Sequence, residues 1–276
     1  MKTMKKLVAV ALMFGAASAA EAGKGGSYQL VQSAVASGSQ DAIIAEVERT
    51  EGLICMECVA TVQQLLTDDR YPVREVAAWW FSKRPGIQHQ FALQMEPDLT
   101  GGDSIHVRNA ADFLGTTKEY KALPLLRAAI LRGGLSVDAR LALVRAAGVL
   151  AHVDGNPILV AGMTDADASV RAAAIAAWRD VLGQTDVSPV EQRLTDSDAG
   201  VRAAAATVVG AYKDGNARAA LEQLVTTDAA ANVRRNAAWA LGKIASSASR
   251  EALATATQDA SPIVASVAKA ALAAIK

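Results

Sequence analysis

Apolar positions along this chain fall into paired blocks that repeat. Short apolar stretches lie at 123–131, 157–163, 189–194, 217–225 and 250–257. Each leads into a turn that, in most copies, carries an aspartate, then into a longer segment that opens on Val-Arg and runs into alanines. The clearest copies are Thr164-Asp165 with Val170-Arg171, Thr195-Asp196 with Val201-Arg202, and Thr227-Asp228 with Val233-Arg234. Thr67-Asp68 with Val73-Arg74 is an earlier one. Aligned on the arginine, the units place Arg74, Arg108, Arg140, Arg171, Arg202 and Arg234 in register, with Ala265 in a seventh. The step is 31 to 34 residues. A fixed period of that length marks a solenoid, in which each unit is too small to bury a core alone and stacking closes it.

The pattern predicts two helices per unit. Asp167, Asp198 and Ser261 stand where a side-chain oxygen caps the second helix. Gly183, Gly210 and Gly242 stand near its end, the place glycine favours. Units two and three depart from the pattern, with Gly102 and Gly134 where the aspartate belongs, and unit seven keeps Asp259 but loses the arginine. Residues 28–36 and 40–49 read as two further helices forming an N-terminal cap. The stretch 96–104, with Pro97, Gly101 and Gly102, reads as the longest irregular connection, a contact loop or a linker.

This pattern resembles HEAT repeats, in the short bacterial form called PBS-lyase HEAT-like repeats, over residues 54–276. The resemblance implies an all-α fold: a right-handed α-solenoid of about seven helical hairpins behind the cap at 23–53. It implies that Asp68, Asp165, Asp196 and Asp228, with Arg74, Arg108, Arg171, Arg202 and Arg234, form a structural ladder between neighbouring turns. It also implies a binding scaffold whose second helices line a concave surface, and a protein as partner.

Composition adds a compartment. Lys2, Lys5 and Lys6 precede an apolar run at 7–20, followed by Ala20-Glu21-Ala22. That is the form of a secretory signal peptide over residues 1–22, and the run is short for a membrane span. The product is expected in the periplasm or outside the cell, with no membrane span in the mature chain. Without that segment the chain carries 25 basic and 27 acidic side chains, a balance that does not favour nucleic acid.

Candidate chemistry is sparse. Cys55 and Cys58 form a CxxC at the start of a predicted helix, an arrangement that lowers a thiol pKa and also permits a local disulfide. The alternatives are a structural bridge or thiol pair, a thiol-dependent redox or assembly factor, and metal delivery with a histidine. Val59 in place of histidine excludes haem attachment of the CxxCH type. The chain has only His89, His106 and His152, and no His-Glu pair of the kind HEAT-repeat iron hydroxylases use. No nucleophile motif or phosphate loop is present, so no catalytic, metal-binding or cofactor-binding residue is assigned and no cofactor is expected. Trp79, Trp80, Trp178 and Trp239 are candidate partner-binding residues. Adjacent residues on a helix point about 100° apart, so Trp79 and Trp80 cannot both face outward; both could instead seal the junction between cap and array.

Overall fold

The computed structural model describes residues 26–275. The predicted signal peptide lies outside them. Sixteen α-helices and no strand occur among the described residues. They are α1 (Tyr28–Ser37), α2 (Gln40–Arg49), α3 (Met56–Leu65), α4 (Tyr71–Ser82), α5 (Pro85–Gly101), α6 (Ser104–Thr116), α7 (Leu123–Arg132) and α8 (Val137–Leu150), followed by α9 (Asn156–Met163), α10 (Ala168–Trp178), α11 (Ser188–Glu191), α12 (Ala199–Ala211), α13 (Arg218–Thr227), α14 (Ala231–Ile244), α15 (Arg250–Ala256) and α16 (Pro262–Ala274).

Two compact units divide inside α3, between Val62 and Gln63. In the smaller, Ser27 and Ser39 cap α1 and α2 by accepting the N–H groups of Leu30 and Ala42, and Gly38 makes the turn between them at φ 69°. Val31, Ala34, Ile43 and Val47 are its buried side chains on these helices.

The larger unit is an all-α solenoid of two helix layers. Helices α4, α6, α8, α10, α12, α14 and α16 stack in sequence as one layer; in the other, α5, α7, α9 and α11 follow one another and α13 packs on α15. The first helices of the hairpins begin and end within two residues of the predicted stretches, though α11 keeps a single α turn and continues as a 3-10 turn over Gln192–Thr195.

Alanine and glycine set the spacing of the second-helix layer. A side-chain carbon added to Gly210 would meet Cβ of Ala240 at 2.6 Å, and one on Gly242 would meet Cβ of Ala271 at 2.7 Å. Gly115 and Gly148 stand in the same way against Ala146 and Ala177. Removing Cβ on one helix and shortening the side chain on the next lets the backbones approach.

Three expectations are corrected here. Gly210 and Gly242 lie inside α12 and α14 and serve packing, not helix termination. The left-handed residues that end α6, α8, α12 and α14 are Lys118, Ala151, Lys213 and Ala245; among the second helices only α10 has a positive-φ glycine after it, Gly183 at φ 73°, five residues beyond Trp178. The irregular loop at 96–104 does not exist, because α5 runs through Pro97 to Gly101 and Asp103 caps α6 two residues later. A proline inside a helix removes one N–H···O=C bond, and here the loss falls on a long helix that is exposed on one side. Ser261 makes no side-chain cap; the Asp259 carboxylate accepts its N–H instead.

Candidate functional site

The aspartate of each turn makes two kinds of bond. Its carboxylate accepts the backbone N–H two residues on, as Asp165 does from Asp167, Asp196 from Asp198 and Asp228 from Ala230. It also receives the arginine of the preceding repeat. Arg140 reaches Asp165 at 2.6 Å, Arg171 reaches Asp196 at 2.7 Å, Arg202 reaches Asp228 at 2.7 Å and Arg234 reaches Asp259 at 2.6 Å. Each pairing uses Nε and Nη2 against the two carboxylate oxygens, the fork geometry that makes arginine–carboxylate bonds strong. The remaining nitrogen turns back on the arginine's own turn, so Arg202 Nη1 donates to the carbonyls of Asp196 and Ser197. One side chain therefore ties its own turn to the next.

These bonds hold the Asp259 carboxyl below the usual range, chiefly through Arg234. For Asp196 and Asp228, burial pushes upward, and the guanidiniums of Arg171 and Arg202 with the backbone N–H outweigh it. All of this chemistry is spent inside the array. Arg140 and Asp259 belong to the ladder as fully as the residues named for it from the sequence.

The N-terminal hairpins are wired differently. Asp68 pairs with Arg70 in its own turn. Arg74 finds no aspartate in the next turn, where Gly102 stands, and pairs instead with Asp112 of α6 at 2.7 Å. The other oxygen of Asp112 takes Arg145 of α8 at 2.7 Å, and the Arg145 guanidinium lies 3.7 Å from the centre of the Tyr71 ring. Arg108 faces Gly134 and has no ladder partner; it bonds Asn109 and lies 3.4 Å from the exposed Asp69.

The tryptophans separate by burial. Trp80 is fully buried against Phe81, and Trp178 is 2% exposed, with its indole N–H donating to the carbonyl of Asp186. Neither offers a surface, so the partner-binding expectation is withdrawn for both: in an alanine-rich core these large rings supply bulk. Trp79 is half-buried and Trp239 is 36% exposed. They hold the same position in their repeats, five residues after the arginine. Each carries a lysine four residues on, with Lys83 Nζ 5.0 Å from the Trp79 ring and Lys243 Nζ 5.4 Å from the Trp239 ring. Such cation–ring contacts fix an ammonium over an indole. At this position the second helices carry Trp79, Phe113, Arg145, Ala176, Thr207 and Trp239, of which Phe113 is buried and the others keep some exposure.

Cys55 and Cys58 form a disulfide, and both residues are buried. The bridge takes both sulfurs out of consideration as metal ligands in this state. His106 is exposed and bonded to Asp103, which raises its pKa, and His152 lies beside Asp154. Among the described residues no three His, Cys, Asp or Glu side chains converge on a metal-sized site. Glu191 has the one carboxyl pushed up to about 7, first by a hydrogen bond with Asp214, then by burial and by the charges of Asp214 and Asp186.

Comparison with known proteins places the fold. The family model for HEAT repeats matches residues 187–273. YibA of Escherichia coli superposes with a TM-score of 0.56 at 15% identity, over 89% of this chain and 90% of that protein. An engineered protein superposes at 0.50 and 20% identity, over 90% of this chain and 77% of its own. The complex of CpcE and CpcF, the phycocyanin lyase of Nostoc sp., reaches only 0.38 at 16% identity, over 95% and 100%. At identities of 15 to 20% these likenesses extend to architecture alone. No curated protein matches the sequence.

Proposed function

We propose that this protein is an exported scaffold that binds another protein across its second-helix layer, the concave side in this reading. The carrying observation is a division of labour within each repeat. The charges that recur from repeat to repeat, Asp165 to Arg234, are consumed between neighbouring turns. The outward row on the second helices instead carries half-exposed or exposed indoles with lysines, at Trp79 and Trp239. Tryptophan and arginine are the side chains on which protein interfaces most often concentrate their energy. The helices of a solenoid offer them as a continuous surface.

Export is supported by the basic start and apolar run of residues 1–22 and by the Cys55–Cys58 bridge, since structural disulfides persist in oxidising compartments. Burial of both cysteines favours a structural bridge over a thiol that exchanges with clients.

The test is affinity capture of the full chain, expressed with its own N-terminus, from the periplasmic fraction, beside a Cys55→Ser, Cys58→Ser variant. One stable protein partner recovered with both chains is expected, with the captured chain starting near Gly23. Partners held as mixed disulfides and lost in the variant would replace the scaffold by a thiol-exchange factor. Capture of no protein, or of a chain confined to the cytoplasm, would overturn the reading outright.

A further inference from the structure

Trp239 sits between two open depressions on the second-helix layer. One, of about 320 Å³, is bounded by Thr207, Arg235, Asn236 and Val267; the other, of about 280 Å³, by Gly242, Lys243, Val267 and Ala270. The indole forms the wall they share. Its position follows from packing: a Cβ on Gly210 would stand 2.9 Å from its Cζ3, so the missing side chain on α12 is the space the ring edge occupies. The ring is held by its neighbours before any partner arrives.

The charges around it are of one sign. Arg235 donates through Nε to Asn236, and Asn236 is anchored in turn on the Ala203 carbonyl and the Thr207 hydroxyl of α12. Lys243 leans on the indole. Arg140, Arg171, Arg202 and Arg234 each have a carboxylate within 3 Å, but among the described residues none pairs with Arg235 or Lys243. No acidic side chain lines either depression. A half-exposed indole flanked by two cations with spare donors selects a ligand with an apolar side chain between negative charges.

Spacing narrows the ligand further. Arg235 and Lys243 are eight residues apart on one helix, about 12 Å along its axis. An extended peptide advances about 3.3 Å per residue, so carboxylates about four residues apart would meet both cations. From this geometry we infer that the Trp239 surface is a docking site for an acidic segment of a partner protein. That segment carries an aromatic or aliphatic residue on the indole, with an Asp or Glu about two residues to each side. The inference rests on the scaffold reading and supplies the chemistry of its partner.

The test is selection of a random-peptide display library on the full chain, followed by binding of the selected peptides to variants. Enrichment of two acids bracketing an apolar residue is expected. So is a loss of about tenfold or more in affinity with Arg235→Glu, Lys243→Glu, and separately with Trp239→Ala. The double reversal is expected to favour peptides whose acids are replaced by lysine. Selected peptides without acidic enrichment would overturn the site, as would binding indifferent to the double reversal or full displacement by a single-stranded oligonucleotide. The cellular partner separates the two claims. Its capture by the double-reversal chain as well as by wild type would remove the Trp239 site and leave the scaffold standing. Capture by neither chain would remove both.

Discussion

From Arg140 to Asp259 each repeat hands one guanidinium to the aspartate of the next turn, whereas between Arg74 and Arg145 the guanidiniums converge on a carboxylate inside the helix layer. The regular pairs stay in touch with water. Their arginine side chains keep 12 to 20% of their exposure and their aspartates 5 to 9%. The Arg74–Asp112 pair keeps only 4% and 1%. The two arrangements solve the same problem. An arginine standing beside every turn needs an acceptor; where Gly102 removes it from the loop, Asp112 supplies it to Arg74 from a helix, and Arg108, with Gly134 at the corresponding place, bonds Asn109 instead. The energetic consequences differ, because a desolvated charge depends entirely on its partner while a partly wet one falls back on solvent.

Asp112→Ala is therefore expected to be the most damaging single change. It leaves Arg74 buried without a counter-charge, and breaking such a pair costs about 3–5 kcal/mol. Denaturant unfolding followed by circular dichroism measures it, and a loss no larger than that of Arg202→Ala would erase the distinction between the two regions.

Arg202→Ala comes next, at about 1–3 kcal/mol, since it removes a bidentate charge-assisted bond and two bonds to carbonyls from a partly solvated site. In a solenoid the loss is local, so hydrogen exchange should rise first in the two hairpins joined there. Protection lost evenly over all repeats would contradict a ladder made of separate rungs.

The smallest effect is a pH dependence within the regular stretch. Asp196, Asp228 and Asp259 are held below the ordinary carboxylate range, so they stabilise the fold above about pH 4 and lose that contribution as pH falls through their lowered values. Glu191 acts in the opposite sense. Its folded carboxyl keeps its proton up to about 7, against 4.5 for the free side chain. Stability therefore falls as pH rises between those values. Glu191→Gln should flatten the decline from pH 5 to 7.5 in a melting series while leaving the acid limb as it was. An unchanged upper limb would mean that the Glu191–Asp214 pair does not hold the shared proton.

The regular stretch was also the legible one. Its hairpins, the caps at Asp167 and Asp198 and the alanine face follow from a period any single unit displays. What escaped reading depends on contacts between units. Gly210 and Gly242 look like helix ends in one dimension and prove to be gaps for Ala240 and Ala271 on the neighbouring helix. Pro97 with two following glycines reads as a loop, yet Asp103 and Gly102 stop the chain only after α5 is complete. The Arg74–Asp112–Arg145 cluster joins residues 33 and 38 positions apart. One signal was present. Among the six units that keep the arginine, the residue four positions on is Ala78, Val144, Ile175, Ala206 or Ala238 in five, and a charge, Asp112, in the second alone. For the tryptophans, residue type could not separate Trp239 from Trp178; register does, since Trp178 stands seven residues after Arg171, in the column buried as Phe81, Val209 and Leu241 elsewhere, and Trp239 five after Arg234.

The central claim is that ladder charges hold the array while the second-helix face engages the partner. Measuring the folding midpoint and the captured partner together, for Arg202→Ala and for Arg235→Glu, Lys243→Glu, tests it most directly. Expected is a lowered midpoint with the partner retained in the first chain, and an unchanged midpoint with the partner lost in the second. The reverse pattern, partner lost with Arg202→Ala at wild-type stability and retained in the double reversal, would contradict it.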